Sequence, residues 1–117
     1  MVRSLLLLLA VLIAATPKPI TLTVKPEQSF APAHVILTVH IKRTPDNRTL
    51  GWACDSGDFY RSSVFTLDGE NSPATFIEDK VLRDVPEGDY TCIAELTYAN
   101  GSSDKATAIF HAIGHEQ

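Results

Sequence analysis

The stretch Val85-Pro86-Glu87-Gly88-Asp89-Tyr90-Thr91-Cys92-Ile93-Ala94-Glu95-Leu96-Thr97-Tyr98-Ala99-Asn100-Gly101 decides the fold. Pro86, Glu87 and Gly88 form a turn, after which Tyr90, Cys92, Ala94 and Leu96 recur at every second position as far as about Tyr98. A repeat of two puts these residues on one side of a strand whose other side faces away from the core. Asn100 and Gly101 then give a strong short-range hairpin signal, because both central positions of a type I′ turn require positive φ. The strand that follows is expected over Lys105 to Ile113.

The same period extends outward through the chain. Ile20, Leu22 and Val24 alternate with threonines until Pro26, and Val35, Leu37, Val39 and Ile41 line one side of the strongest alternating segment. Thr44 to Asn47 is a turn, and Leu50, Trp52 and Cys54 share one face of a strand over Thr49 to Cys54. After Asp55 to Asp58, a strand runs from Phe59 to Leu67 with Phe65 and Leu67 inward, and Asp68 to Pro73 is loop by composition. Ala74 to Val85 reads as one bulged strand or two short ones, since Phe76 and Ile77, and again Val81 and Leu82, are adjacent. Seven strands with turn signals every 8 to 12 residues predict an all-β, seven-stranded antiparallel Greek-key β-sandwich.

The amino-terminal residues follow another plan. Arg3 precedes an unbroken apolar run from Leu5 to Ala14, followed by small residues. That is the plan of a signal peptide, and ten apolar residues in a helix span only about half of a ~30 Å hydrocarbon core. The expected organisation is a cleaved leader over 1–15, one domain over 17–114 and a tail over 115–117. No permanent membrane span is expected, and the destination is secreted, extracellular or periplasmic. Without the leader, nine Lys and Arg stand against fourteen Asp and Glu, which argues against nucleic acid as partner. Cys54 and Cys92 are the two cysteines of the chain. In an oxidising compartment they are expected to form one intramolecular disulfide.

Leu82 to Cys92 resembles the passage into the Tyr- and Cys-bearing strand of immunoglobulin-like domains. There a Tyr two residues before a Cys forms the tyrosine corner, its hydroxyl bonding back to the chain upstream. Tyr90 and Cys92 match that spacing, so the resemblance implies such a corner at Tyr90. The departure is equally specific: the superfamily places its first Cys on an earlier strand and its Trp about a dozen residues later, whereas Trp52 here precedes Cys54 by two. Two assignments follow. Either the bridge joins neighbouring strands within one sheet, or the Cys54 strand takes the earlier place with Phe65 in the Trp position and the bridge spans two sheets. The separation of 38 positions leaves few strands for the second. The first brings the domain closer to fibronectin type III or bacterial immunoglobulin-like domains.

Chemistry is less well supplied. His34, His40, His111 and His115 suggest a secreted copper site, yet the one Met is the initiator and both Cys serve a bridge. Ser56, Ser62 and Ser63 lack a nucleophile motif. The acidic pairs Asp55 with Asp58 and Asp68 with Glu70 belong to no calcium loop. Neither an enzyme nor a cofactor is expected. Recognition of a protein or carbohydrate is expected instead, at two places. One is a loop end holding Asn47 and Arg48, Glu70 and Asn71, and Asn100 to Ser103. The other is Phe59, Tyr60 and Arg61, whose composition is that of interface hot spots. An exposed Trp52 would extend the second into a carbohydrate-stacking platform. Asn47-Arg48-Thr49 and Asn100-Gly101-Ser102 spell N-glycosylation acceptors, relevant in a eukaryotic secretory pathway. The function expected is a secreted, non-enzymatic immunoglobulin-like binding or structural module. The alternative is a small periplasmic metal carrier or enzyme using the histidines and acidic loops.

Overall fold

Alternating apolar positions become strands wherever the chain runs for four or more residues between turn formers. The computed structural model describes residues 18–79 and 82–114. The expected leader, the tail with His115, and Val81 lie outside them. Among the described residues there are eight strands: β1 (Ile20–Lys25), β2 (Gln28–Phe30), β3 (Ile36–Ile41), β4 (Asn47–Asp55), β5 (Tyr60–Thr66), β6 (Thr75–Glu78), β7 (Gly88–Tyr98) and β8 (Ser103–Ile113). A 3-10 turn over Gly69–Asn71 separates β5 from β6.

The strands form two sheets, β1-β3-β6 and β2-β8-β7-β4-β5. Every pairing is antiparallel except β2 with β8, which is parallel and sets Phe30 beside Ile113. This corrects the expected count of seven antiparallel strands. The extra strand is three residues long and polar at Gln28 and Ser29, too short to show a period. Its place follows from backbone bonding: the His111 amide donates to the Glu27 carbonyl and the Ala31 amide to the Ile113 carbonyl, each 2.8 Å. The segment over 74–85 is also shorter than expected. It supplies the four residues of β6, and further on Val85 makes an isolated bridge with Ala33.

The core lies between the sheets. From the small sheet come Ile20, Leu22, Val24, Leu37, Val39 and Ile41; from the large one Leu50, Trp52, Cys54, Tyr90, Cys92, Ala94, Leu96 and Phe110, all buried. Removing each such large side chain from water favours folding by roughly 1.5 to 3 kcal/mol. Tyr90 and Phe110, cross-strand partners on β7 and β8, stack with ring centroids 4.6 Å apart. Phe65 on β5 and Phe76 on β6 meet at 5.2 Å, closing the side where the two edge strands face each other across the layers.

The β7–β8 connection differs from a type I′ turn. Gly101 takes φ of 87°, but Asn100 does not take a positive φ. The Gly101 amide donates to the Tyr98 carbonyl at 3.0 Å and the Tyr98 amide to Ser102 at 2.9 Å. This is the longer loop in which a left-handed glycine follows the turn. Asn100 uses its side chain instead, its Oδ1 accepting from the Ser102 amide and hydroxyl.

Candidate binding surface

Cys54 and Cys92 are register partners on β4 and β7 and form a disulfide with Cα atoms 4.0 Å apart. Both strands belong to the large sheet, so the bridge lies within one sheet and the inter-sheet assignment is excluded. On the other sheet, β3 contributes the buried aliphatic residues Leu37 and Val39 and no cysteine. Two positions before Cys92, the Tyr90 hydroxyl donates to the Pro86 carbonyl at 2.8 Å. Burial of the ring pushes the Tyr90 hydroxyl pKa up.

The residues singled out after the β4–β5 turn divide by strand parity. Phe59 is half-buried, its ring edge-on to Tyr90 at 6.1 Å, with the Arg61 guanidinium 4.1 Å over its face. Tyr60 points the other way and is 56% exposed. Trp52 is only 3% exposed, which removes the proposed stacking platform. Its indole nitrogen is buried with no hydrogen-bond partner among the described residues.

The loops at the far end do gather. The Ala99 amide donates to the Asp46 carbonyl at 2.8 Å, while Pro45 and Arg48 lie against Gly69 and Glu70. Their polar groups, however, are used internally. Arg48 donates to the carbonyls of Pro45 and Asn47 at 2.7 and 2.9 Å. Asn47 is fully buried, its Nδ2 donating to the Lys42 carbonyl while its Oδ1 accepts from the Thr44 hydroxyl. Asn47 is thus a loop-fixing residue, and Asn100 is the exposed member of the two acceptor triplets. Nearby, the Tyr98 hydroxyl donates to Asp104 at 2.6 Å, and burial together with that carboxylate pushes its pKa up to about 12.

The histidines are dispersed. His34 contacts the Asp79 carbonyl, His40 the Thr75 hydroxyl and His111 the Asp89 carboxylate, each on a different element. Among the described residues no three His, Cys, Asp or Glu side chains gather as a metal-binding group. No helix among them is long and apolar enough to cross a membrane.

One surface was missed by reading for motifs. The outward positions of the large sheet carry Phe30, Tyr60, Val64, Ile93, Ile109 and Ile113, exposed by 43 to 72%. Val64 is the most exposed and sits beside Gly51, its cross-strand partner. Gly51 and Ala53 have little side chain, leaving a shallow recess bordered by Tyr60, Val64, Ile93 and Glu95. Lys105 and Glu95, register partners on β8 and β7, approach to 3.9 Å on the same face. The signal was present in the sequence: Val64, Ile93 and Ile109 occupy positions where a solvated strand face carries polar residues.

No family model matches the chain, and no curated protein matches it. Among solved structures, the chain is similar to a superoxide reductase (neelaredoxin) from Ignicoccus hospitalis, with a TM-score of 0.52 over 81% of this chain and 80% of that one. The sequences are 11% identical, so the likeness concerns the fold alone.

Proposed function

We propose that the chain is an exported, non-enzymatic immunoglobulin-like module with Greek-key connectivity that binds through the outer face of its five-stranded sheet. The immunoglobulin-like part of this reading is supported by the Tyr90 to Pro86 hydrogen bond two residues before Cys92, and by a first strand that divides between the sheets as β1 and β2. The observation that carries the binding role is the set of exposed apolar side chains on the sheet's outer face, of which Tyr60, Val64 and Ile93 border one shallow recess. Exposed apolar side chains grouped around a recess and rimmed by polar ones mark interaction sites. Export is supported by the leader plan of residues 1–15 and by the core disulfide.

The test is capture from the native host's exported fraction, and on a glycan array, by the wild-type protein and by Ile93→Glu. Capture lost in Ile93→Glu and retained in Arg48→Ala supports the face. Capture indifferent to Ile93 and abolished by Arg48→Ala moves the site to the loop end and overturns the reading. For the metal alternative, titration with copper or zinc is expected to leave the melting temperature unchanged.

A further inference from the structure

We infer that the partner is an extended peptide strand that adds to the free edge of β5, apolar at alternate positions and basic at both ends; this rests on the binding-module reading above and names its occupant. Among the described residues the edge strands of the two sheets are β1, β6, β2 and β5. β2 has three residues and lies between Pro26 and Pro32, and β6 has four. β1 lies between Pro19 and Pro26 and packs against β8. Short length and proline close an edge to further strands. By contrast β5 has seven residues and no Pro, Gly or Lys. Its one charged side chain, Arg61, is turned back over the Phe59 ring and onto the Tyr60 carbonyl.

The register fixes which backbone groups of β5 are free. The Leu67 amide donates to the Arg48 carbonyl at 2.8 Å and the Ser56 amide to the Phe59 carbonyl at 3.1 Å. Hydrogen-bonded pairs alternate along an antiparallel ladder. Between those two bonds, Phe65, Ser63 and Arg61 therefore face Leu50, Trp52 and Cys54, and the amides and carbonyls of Tyr60, Ser62, Val64 and Thr66 point away from β4. These four residues are exposed, and the turn over Gly69–Asn71 folds back towards Pro45 and Arg48 rather than across them. An added strand thus meets a donor and an acceptor at every second residue over about 20 Å. Its side chains opposite Tyr60 and Val64 lie on the outer face beside the recess, where aromatic and β-branched residues pair best. In such strand addition main-chain bonds supply affinity and alternate side chains supply specificity.

Charge selects the occupant. The turn before β5 holds Asp55 and Asp58, and the turn after it holds Asp68 and Glu70. Among the described residues none of these carboxylates forms an ion pair. The cations nearest to them are spent on the protein itself, Arg61 as above and Arg48 on the carbonyls of Pro45 and Asn47. The edge is therefore uncharged along its middle and acidic at both ends, which fits a strand with Lys or Arg at its two ends. It fits a second copy poorly: β5 laid antiparallel on its own copy sets the Asp58 turn of each against the Asp68 and Glu70 turn of the other, and like charges so placed repel.

The experiment adds a synthetic peptide of alternating valine and threonine, with lysines at both ends, to the exported full chain with its disulfide intact. Amide exchange followed by NMR is expected to be fast at Tyr60, Ser62, Val64 and Thr66 in the free protein and slowed at least about tenfold by the peptide, whereas Arg61, Ser63 and Phe65 are protected from the outset. A counterpart ending in glutamates is expected to bind at least about tenfold more weakly at low salt. Ser62→Pro removes an outward donor and no bond to β4, and is expected to abolish binding, while Ser62→Ala keeps it. Thermal melting checks that each variant folds, and a peptide N-methylated on the amides facing β5 removes the same bonds from the other side. A lysine-ended peptide that protects none of the four amides, or binding indifferent to N-methylation, overturns the inference. Self-association of the chain alone that Ser62→Pro abolishes would give the edge to a second copy and overturn it too. Capture of a native partner lost in Ile93→Glu and retained in Ser62→Pro refutes strand addition and leaves the binding face standing. Indifference of capture to both substitutions refutes both.

Discussion

Cys54 and Cys92 face each other across β4 and β7, both pointing into the core and no more than 1% exposed. The strands they join are paired already, from Asn47 with Tyr98 to Asp55 with Thr91. The bridge therefore adds no new strand neighbour. Its effect falls on the unfolded chain, where it closes a loop of 38 positions. In the chain-entropy model that is worth roughly 4 kcal/mol.

Replacing both cysteines by alanine is accordingly expected to leave the far-ultraviolet circular dichroism unchanged while lowering stability by about 2 to 4 kcal/mol. Guanidinium titration measures this. An unchanged midpoint would show that the bridge contributes nothing, and an unfolded variant that it does more than shorten a loop.

Tyr90 has two separable roles. Its hydroxyl holds the Pro86 carbonyl, and its ring packs on Phe110 and Phe59. Tyr90→Phe keeps the ring and is expected to cost about 1 kcal/mol, whereas Tyr90→Ala should cost about 3 to 5 kcal/mol. Equal losses in the two variants, read from urea midpoints, would mean that the hydroxyl rather than the packing dominates.

Alkaline pH should act through Tyr98 as well. A hydroxyl whose pKa rises on folding stabilises the native state fully below the unfolded value, near 10, and that contribution disappears as pH climbs through the folded value. For Tyr98 the window extends to about pH 12. Asp104→Asn removes the carboxylate that resists ionisation, so tyrosinate absorbance should appear at lower pH in that variant. Superimposable titration curves would remove Asp104 as the cause.

The two acceptor triplets should part company in a eukaryotic secretory host. Asn100 is exposed at a hairpin tip, whereas the Nδ2 of Asn47, the atom a glycan would occupy, is buried and donated to Lys42. Peptide mapping of the folded, exported protein is expected to find sugar on Asn100 and none on Asn47. Asn47→Ala should cost about 1 to 3 kcal/mol, because it leaves buried groups of the 42–47 loop unpaired. A glycan on Asn47 in folded protein would contradict the structure there.

The parts of this fold that could be read in advance are those in which one residue's neighbours two positions away share its chemistry. Leu37, Val39 and Ile41, or Tyr90, Cys92, Ala94 and Leu96, carry their own sidedness, so the two-sheet, all-β arrangement was legible from them. The placement of β2 was not, because its three residues are held by backbone amides and carbonyls of β8 that any sequence possesses. Turn geometry escaped for a related reason: Asn100 was assigned a left-handed backbone, but its side chain satisfies Ser102 and makes that conformation unnecessary. Of the candidate residues, Tyr60 could be assigned outward by parity. Arg48 and Asn47 looked available only because the carbonyls they serve are invisible in a sequence. The outer face went unnoticed because Val64, Ile93 and Ile109 lie on three strands, and only the register brings them together.

The ordering of the sheets also has a mechanical meaning. Pro19 sits beside Tyr98 and Asn100, while Gly114 sits beside Pro32 and Pro86, at the opposite end of the eleven-residue β7. Tension applied through these two points runs along the strands. Because β2 and β8 are parallel and would be drawn from opposite ends, their hydrogen bonds are loaded side by side and must yield together instead of peeling open singly. Single-molecule extension is expected to need less force at the β2–β8 step when Ser29 is replaced by proline, which removes a backbone donor from that ladder.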